Sequence, residues 1–90
     1  ESFGFLYGLF NLNLFDNRLS YLPNYFMDLH SCNYLDLSFN QFINFPEEIL
    51  ELSNLEELNL SINYLITIPS NISNLTNLNW LDLHSSTNSL

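Results

Sequence analysis

The side chains able to carry acid–base, nucleophilic or metal chemistry are few and scattered. Ten Asp and Glu residues face one basic residue, Arg18, for a formal charge of −9. His30 and His84 have no histidine counterpart at the matching position of another turn. Cys32 is the only cysteine, so no zinc-type cysteine pair and no internal disulfide can form. The only glycines, Gly4 and Gly8, build no phosphate-cradling loop. Glu47, Glu48 and Glu51 could attract calcium loosely, but their spacing is not that of a twelve-residue calcium loop. They read as a solvated acidic face. General acid–base work needs a carboxyl with a shifted pKa in an enclosed site, and the pattern points to none. No catalytic residue, metal ligand or cofactor is therefore expected.

A different chemistry, recognition of another protein, emerges once the chain is arranged on its own period. Residues 55–69 read LEELNLSINYLITIP, with apolar residues at Leu55, Leu58, Leu60, Leu65 and Ile68. A step of 23 residues links Leu12, Leu35, Leu58 and Leu81. The same step links Pro23, Pro46 and Pro69, and also Asn17, Asn40 and Asn63. Three landmark types sharing one period define a repeat, with turns near 9–31, 32–54 and 55–77 and a partial one at 78–90.

The repeat places residues in columns. Before the middle leucine come Asn11, Tyr34, Glu57 and Trp80; after it come Asn13, Asp36, Asn59 and Asp82. After the third leucine come Phe15, Ser38, Ser61 and His84, then Asp16, Phe39, Ile62 and Ser85. Aromatic anchors ringed by charge are the usual make-up of a protein-binding hot spot. The candidate partner-binding residues are thus Tyr34, Trp80 and Phe15 with Asp36, Asp82, Glu57 and Asp16. Asp36 and Asp82 should stand about 10 Å apart, two strand spacings. The competing reading is that the aromatics pack on one another along the sheet. Phe39 and Ile62 read as packing residues near the strand ends.

The elements that must position these columns follow from local pattern. Segments 9–14, 32–37, 55–60 and 78–83 each hold a short strand, with leucines pointing inward and the residues between them outward. Stacked turns would form a parallel sheet on the concave side. After each proline the apolar residues fall three apart: Phe26, Leu29, Cys32; Ile49, Leu52, Leu55; Ile72, Leu75, Leu78. These segments should form the convex side. Pro46 followed by Glu47 and Glu48 suits the first turn of a short helix, whereas the more polar stretch after Pro69 suits a looser turn or 3₁₀ segment. Cys32 sits at a leucine position and reads as a small buried hydrophobe rather than a reactive thiol. Asn17, Asn40 and Asn63 follow each strand, and a buried amide there can satisfy backbone groups of neighbouring turns.

The pattern L-x-x-L-x-L-x-x-N-x-L-x-x-I-P, with Ser-x-Asn at Ser38-Phe39-Asn40 and Ser61-Ile62-Asn63, resembles the leucine-rich repeat family. The resemblance runs from Phe3 to Leu83. It implies an α/β solenoid with short parallel strands on the concave face and irregular or short helical segments on the convex face. It also implies a non-catalytic protein-interaction module whose binding residues lie on the exposed strand positions, and it places the three asparagines inside the turns. The version is similar to the repeats of intracellular Ras-binding and scaffold proteins. Similar arrays precede adenylate cyclase, protein kinase and protein phosphatase 2C domains, so a regulatory segment of a larger enzyme is a second expectation. The Gly-x-Ile-Pro turn of plant receptor repeats is missing: Ser20-Tyr21-Leu22-Pro23 and Ile66-Thr67-Ile68-Pro69 stand there.

Composition narrows the partner. Phosphate binding needs clustered Lys and Arg, which excludes nucleic acid and an anionic membrane surface. No run of 18 apolar residues exists, so no membrane insertion is expected. A protein partner with a basic surface fits the charge. The unpaired cysteine leans toward a reducing, cytoplasmic compartment. Triplets at Asn59, Asn71 and Asn74 match glycosylation acceptors and keep open an extracellular alternative, a receptor ectodomain fragment. Phe3, Leu6 and Leu9 are in register with the later turns, and Ser86 and Asn88 break the register. A piece of a longer array is therefore expected, with possible self-association through open repeat ends.

Overall fold

The computed structural model describes residues 10–85. Phe3, Leu6, Leu9, Ser86 and Asn88 lie outside the described residues. Four strands, β1 (Asn11–Asn13), β2 (Tyr34–Asp36), β3 (Glu57–Asn59) and β4 (Trp80–Asp82), alternate with three 3₁₀ segments, Asn24–Asp28, Glu47–Glu51 and Ser70–Asn74. The strands form one parallel sheet in chain order. Its register is the sequence period: Leu12 pairs with Leu35, Leu35 with Leu58 and Leu58 with Leu81.

The strands are shorter than the leucine pattern predicts because only their centres make regular ladder pairs. Bonds between turns continue on both sides in another form. The carbonyls of Phe10, Asn33 and Glu56 each accept two N–H groups from the next turn, as Glu56 O does from Asn79 N and Trp80 N at 2.9 and 3.1 Å. Past the strands, the N–H groups of Asp16, Phe39 and Ile62 donate to Ser38 O, Ser61 O and His84 O. Backbone polar groups that a buried turn would otherwise strand are thereby paired with the neighbouring turn.

All three convex segments are 3₁₀ helices of five residues, each preceded by its proline in extended backbone. This corrects the expectation that the acidic segment after Pro46 starts differently from the polar one after Pro69. The apolar spacing decides the geometry. A step of three matches 3.0 residues per turn and keeps each apolar column on one face, whereas 3.6 would rotate it away. The bonds follow that step: Ile49 N to Pro46 O, Leu52 N to Ile49 O and Leu55 N to Leu52 O.

The core lies between the sheet and these segments. Leu35, Leu37, Leu58 and Leu60 meet Ile49 and Leu52 there, all fully enclosed. Burial fades toward the outer turns. Leu12 is half-buried and Leu81 is 37% exposed, although both occupy the column in which Leu35 and Leu58 are sealed. In this column burial is complete only on the two inner strands, whereas Leu22 and Leu29 of the first turn are buried beneath the convex side.

Candidate partner-binding face

The outward strand positions form two columns with different duties. The first runs Asn11, Tyr34, Glu57, Trp80 in direct register. Trp80 is 45% exposed and Glu57 is exposed. Tyr34 is half-buried, and its hydroxyl donates to Asp36 Oδ2 at 3.4 Å. Its phenol pKa is pushed up, chiefly by burial and then by the negative charges of Asp36 and Glu57. Asn11, Asn33, Tyr34, Glu56 and Glu57 line an open recess of about 350 Å³. The Tyr34 ring and two carboxylates at one opening suit a cationic side chain, since acids supply charge and the ring a negative face.

The second column runs Asn13, Asp36, Asn59, Asp82. Every member accepts the N–H two residues on: Phe15 N at 2.9 Å, Ser38 N at 2.9 Å, Ser61 N at 3.0 Å and His84 N at 2.9 Å. These bonds bend the chain off the end of each strand, as Asn and Asp side chains do in local turns. Ser38 and Ser61 add hydroxyl bonds of 2.6 and 2.7 Å to the same acceptor oxygens. Asp36 is therefore buried, which corrects its expected exposure on the binding face: its Oδ1 holds the Ser38 turn and its Oδ2 meets Tyr34. Asp82 is half-buried, and Oδ1 is engaged with His84 N–H.

Phe15 and Asp16 sit two and three residues beyond β1, on the rim where the chain leaves the sheet, and both are exposed. Phe15 occupies the column that Ser38 and Ser61 fill inwardly. Its ring instead packs edge-on against Phe39, with centroids 5.0 Å apart. Phe39 and Ile62, expected as packing residues, are exposed at the same rim.

This rim has a backbone peculiarity that the sequence reading missed. Asp16, Phe39, Ile62 and Ser85 all have φ between 56° and 60°. The left-handed region costs an L-residue about 1–2 kcal/mol, and a β-branched residue there is an outlier. The step comes immediately before each asparagine and carries the chain from the strand into the turn. Arg18 also has positive φ, at 59°.

The asparagines divide by position in the stack. Asn40 Oδ1 accepts Asn17 N–H and Leu19 N–H at 3.0 and 2.8 Å, while its Nδ2 donates to the carbonyls of Leu14, Leu37 and Ser38. Asn63 Oδ1 accepts Phe42 N–H at 3.0 Å, and Nδ2 donates to the carbonyls of Leu37, Leu60 and Ser61. Both are buried and stitch two turns together. Asn17 departs from the expected interior role: it is exposed, and its Nδ2 reaches Phe15 O, within its own turn, at 3.3 Å.

A second amide series on the convex side escaped the sequence reading. Asn54 Nδ2 donates to His30 O at 2.6 Å and Asn77 Nδ2 donates to Ser53 O at 2.8 Å. The signal was available, because Asn54 and Asn77 are 23 residues apart and each precedes the first leucine of its turn. Cys32 is fully buried, its Sγ donates to Tyr34 O at 3.3 Å, and burial pushes the thiol up to about 11. This is the buried hydrophobe, not a thiolate nucleophile. His84 lies exposed past the end of β4 and His30 on the convex side. Among the described residues, no three His, Cys, Asp or Glu side chains are grouped to hold a metal. No helix among them is long and apolar enough to cross a membrane.

Parallel strands three residues long and 3₁₀ returns recurring turn by turn, with interior asparagine bonds in the two inner turns, define a solenoid of leucine-rich turns. Neither a family profile nor a curated protein sequence matches the chain. Solved structures do. A leucine-rich repeat protein of Leptospira interrogans is 42% identical over 84% of this chain and 19% of its own, with a TM-score of 0.83. An internalin of Listeria monocytogenes shares the fold at 23% identity, over 87% of this chain and 22% of its own, with a TM-score of 0.75. The chain belongs to the leucine-rich repeat family. It spans about a fifth of the length of each of these two proteins.

Proposed function

We propose that the chain is a recognition segment whose concave face binds a protein partner with a basic surface, as part of a signalling assembly in the cytoplasm. The general role, a protein-interaction repeat module, is what its relatives support. One observation carries the finer reading. Tyr34, Glu57 and Trp80 stand side by side at the starts of three adjacent strands, and Trp80 is held 45% exposed there. A large aromatic kept in water beside carboxylates gains most when a partner covers it. The charge of −9 favours a cationic partner and speeds its approach. The unbridged, buried Cys32 supports the reducing compartment.

The test uses a partner identified by mass spectrometry after capture on the immobilised chain, then purified. The Tyr34→Ala and Trp80→Ala double variant, checked for a native spectrum, should weaken its affinity at least tenfold. Affinity should also fall as salt rises. Unchanged affinity in the double variant would remove the concave face from the binding site.

A second reading has its own support. Asn71 and Asn74 lie exposed on the convex segment Ser70–Asn74, where a glycan would not block the sheet. Asn59, by contrast, stands on the sheet with its Oδ1 engaged by Ser61. Intact mass from the native source, before and after glycosidase, separates the two: a mass that drops on treatment places the protein outside the cytoplasm.

A further inference from the structure

At the rim where each turn leaves the sheet, the middle two of the four left-handed residues are apolar. Phe39 has φ of 58° and is 45% exposed; Ile62 has φ of 56° and is 38% exposed. The backbone there favours Asn, Asp or Gly. Each keeps more than a third of its surface in water, and neither belongs to the buried core. Neither the local conformation nor the core accounts for a phenylalanine and an isoleucine at these positions. Their neighbours extend the surface. Phe15 packs on Phe39 edge-on, and Tyr64 stands exposed beyond Ile62. Asp16, Arg18, Gln41 and Tyr64 join Phe39 and Ile62 around an open recess of about 210 Å³. A contiguous exposed apolar surface next to a recess is the usual mark of an interaction site.

We propose that this rim is a docking ridge for a protein segment whose apolar side chains are bordered by lysine or arginine. The ridge lies beside the concave face and rests on the recognition reading above. Charge selects the occupant. A second copy of this chain would bring another nine net negative charges, and an anionic lipid surface would be repelled. Asp16 and Arg18 both line the recess and offset one another, so a segment with cations flanking its apolar row is drawn by the net charge of −9 and by the exposed Glu57 of the sheet, while its apolar row covers Phe39 and Ile62.

The backbone supplies a clean test. Asparagine tolerates the left-handed region, so the Phe39→Asn and Ile62→Asn double variant removes the ridge while easing the conformation. The probe is an 18-residue helical peptide with leucines on one face and lysines along both flanks. A second peptide carries glutamates in place of the lysines. Binding is followed by amide chemical shifts of the ¹⁵N-labelled chain. The lysine peptide should move the amides of Phe15, Phe39, Ile62 and Tyr64, the double variant should bind it at least tenfold more weakly, and the glutamate peptide should not bind. The variant's Tm should be unchanged or higher. A Tm lowered as far as by truncating an inner leucine would make Phe39 and Ile62 packing residues and overturn the proposal. Shifts confined to Tyr34, Glu57 and Trp80, with equal binding by the variant, would overturn the ridge and leave the concave-face reading standing. No shift on either surface at millimolar peptide would count against both.

Discussion

Asn63 and Asn17 hold the same place in the repeat, yet replacing them with alanine should have very different effects. Asn63 joins four backbone groups, and the N–H it accepts belongs to the fully enclosed Phe42. Removing the amide leaves that N–H without a partner in a place water does not reach. One orphaned buried donor costs about 1–3 kcal/mol. The three carbonyls lose a shared donor; those of Leu37 and Leu60 are the shorter bonds, at 3.1 and 3.0 Å. Carbonyls tolerate under-satisfaction better than N–H groups do, so they add about 1 kcal/mol between them. Asn63→Ala should therefore cost roughly 2–4 kcal/mol. Asn17 is exposed and its side chain makes one bond of 3.3 Å, to Phe15 O. Water replaces that bond, and Asn17→Ala should change stability by less than about 0.5 kcal/mol. Urea unfolding of both variants, compared at fixed m value, measures the difference. Equal losses would refute the reasoning, because the cost would then belong to the asparagine position itself and not to the neighbouring turns it bonds.

Two further outcomes follow from burial. Leu58→Ala should cost about 2–5 kcal/mol, because it opens a cavity between two turns, while Leu81→Ala should cost clearly less; Leu58 is sealed and Leu81 is 37% exposed, and urea midpoints at low temperature will rank them. The Cys32 thiol is raised from 9.0 to about 11 in the folded chain. The unfolded thiol therefore loses its proton first, so this group's contribution is intact below pH 9 and is lost as pH climbs toward 11. Stability of wild type and Cys32→Ala measured across that window should converge as pH rises, and a thiol reagent should leave the folded protein unmodified at neutral pH.

The architecture was legible in the sequence because leucine, proline and asparagine each mark a position that every turn needs. The register Leu12–Leu35–Leu58–Leu81 is the 23-residue step itself. Two things were less legible. The outer turns carry the same letters as the inner ones, yet Asn17 and Leu81 are exposed where Asn40, Asn63, Leu35 and Leu58 are buried, a difference the residue types alone do not carry. The outward strand positions looked equivalent, and they are not. Asp36 looks like a surface acid until Ser38 is placed two residues on, where its N–H and hydroxyl both take up Oδ1. The Asx–leucine–Ser sequence in Asp36-Leu37-Ser38 and Asn59-Leu60-Ser61 carried that information; its meaning lies in a turn geometry that hydrophobic periodicity does not describe.

This division of labour constrains how such a surface can recognise anything. A column whose side chains each hold a turn cannot be varied freely: replacing Asp36 or Asn59 with an apolar residue removes the acceptor that bends the chain off its strand. The positions open to variation are then the other strand column and the rim. In the strand column Asn11, Tyr34, Glu57 and Trp80 differ in size, charge and polarity from one turn to the next, although the leucines between the columns do not change. On the rim Asp16, Phe39, Ile62 and Ser85 differ as widely while sharing one backbone conformation. The rim conformation is set by the bonds of the turn, since Asp16, Phe39 and Ile62 each donate to the next turn's carbonyl whatever their side chain. A fixed backbone therefore presents unlike side chains at one spacing along both the strand column and the rim.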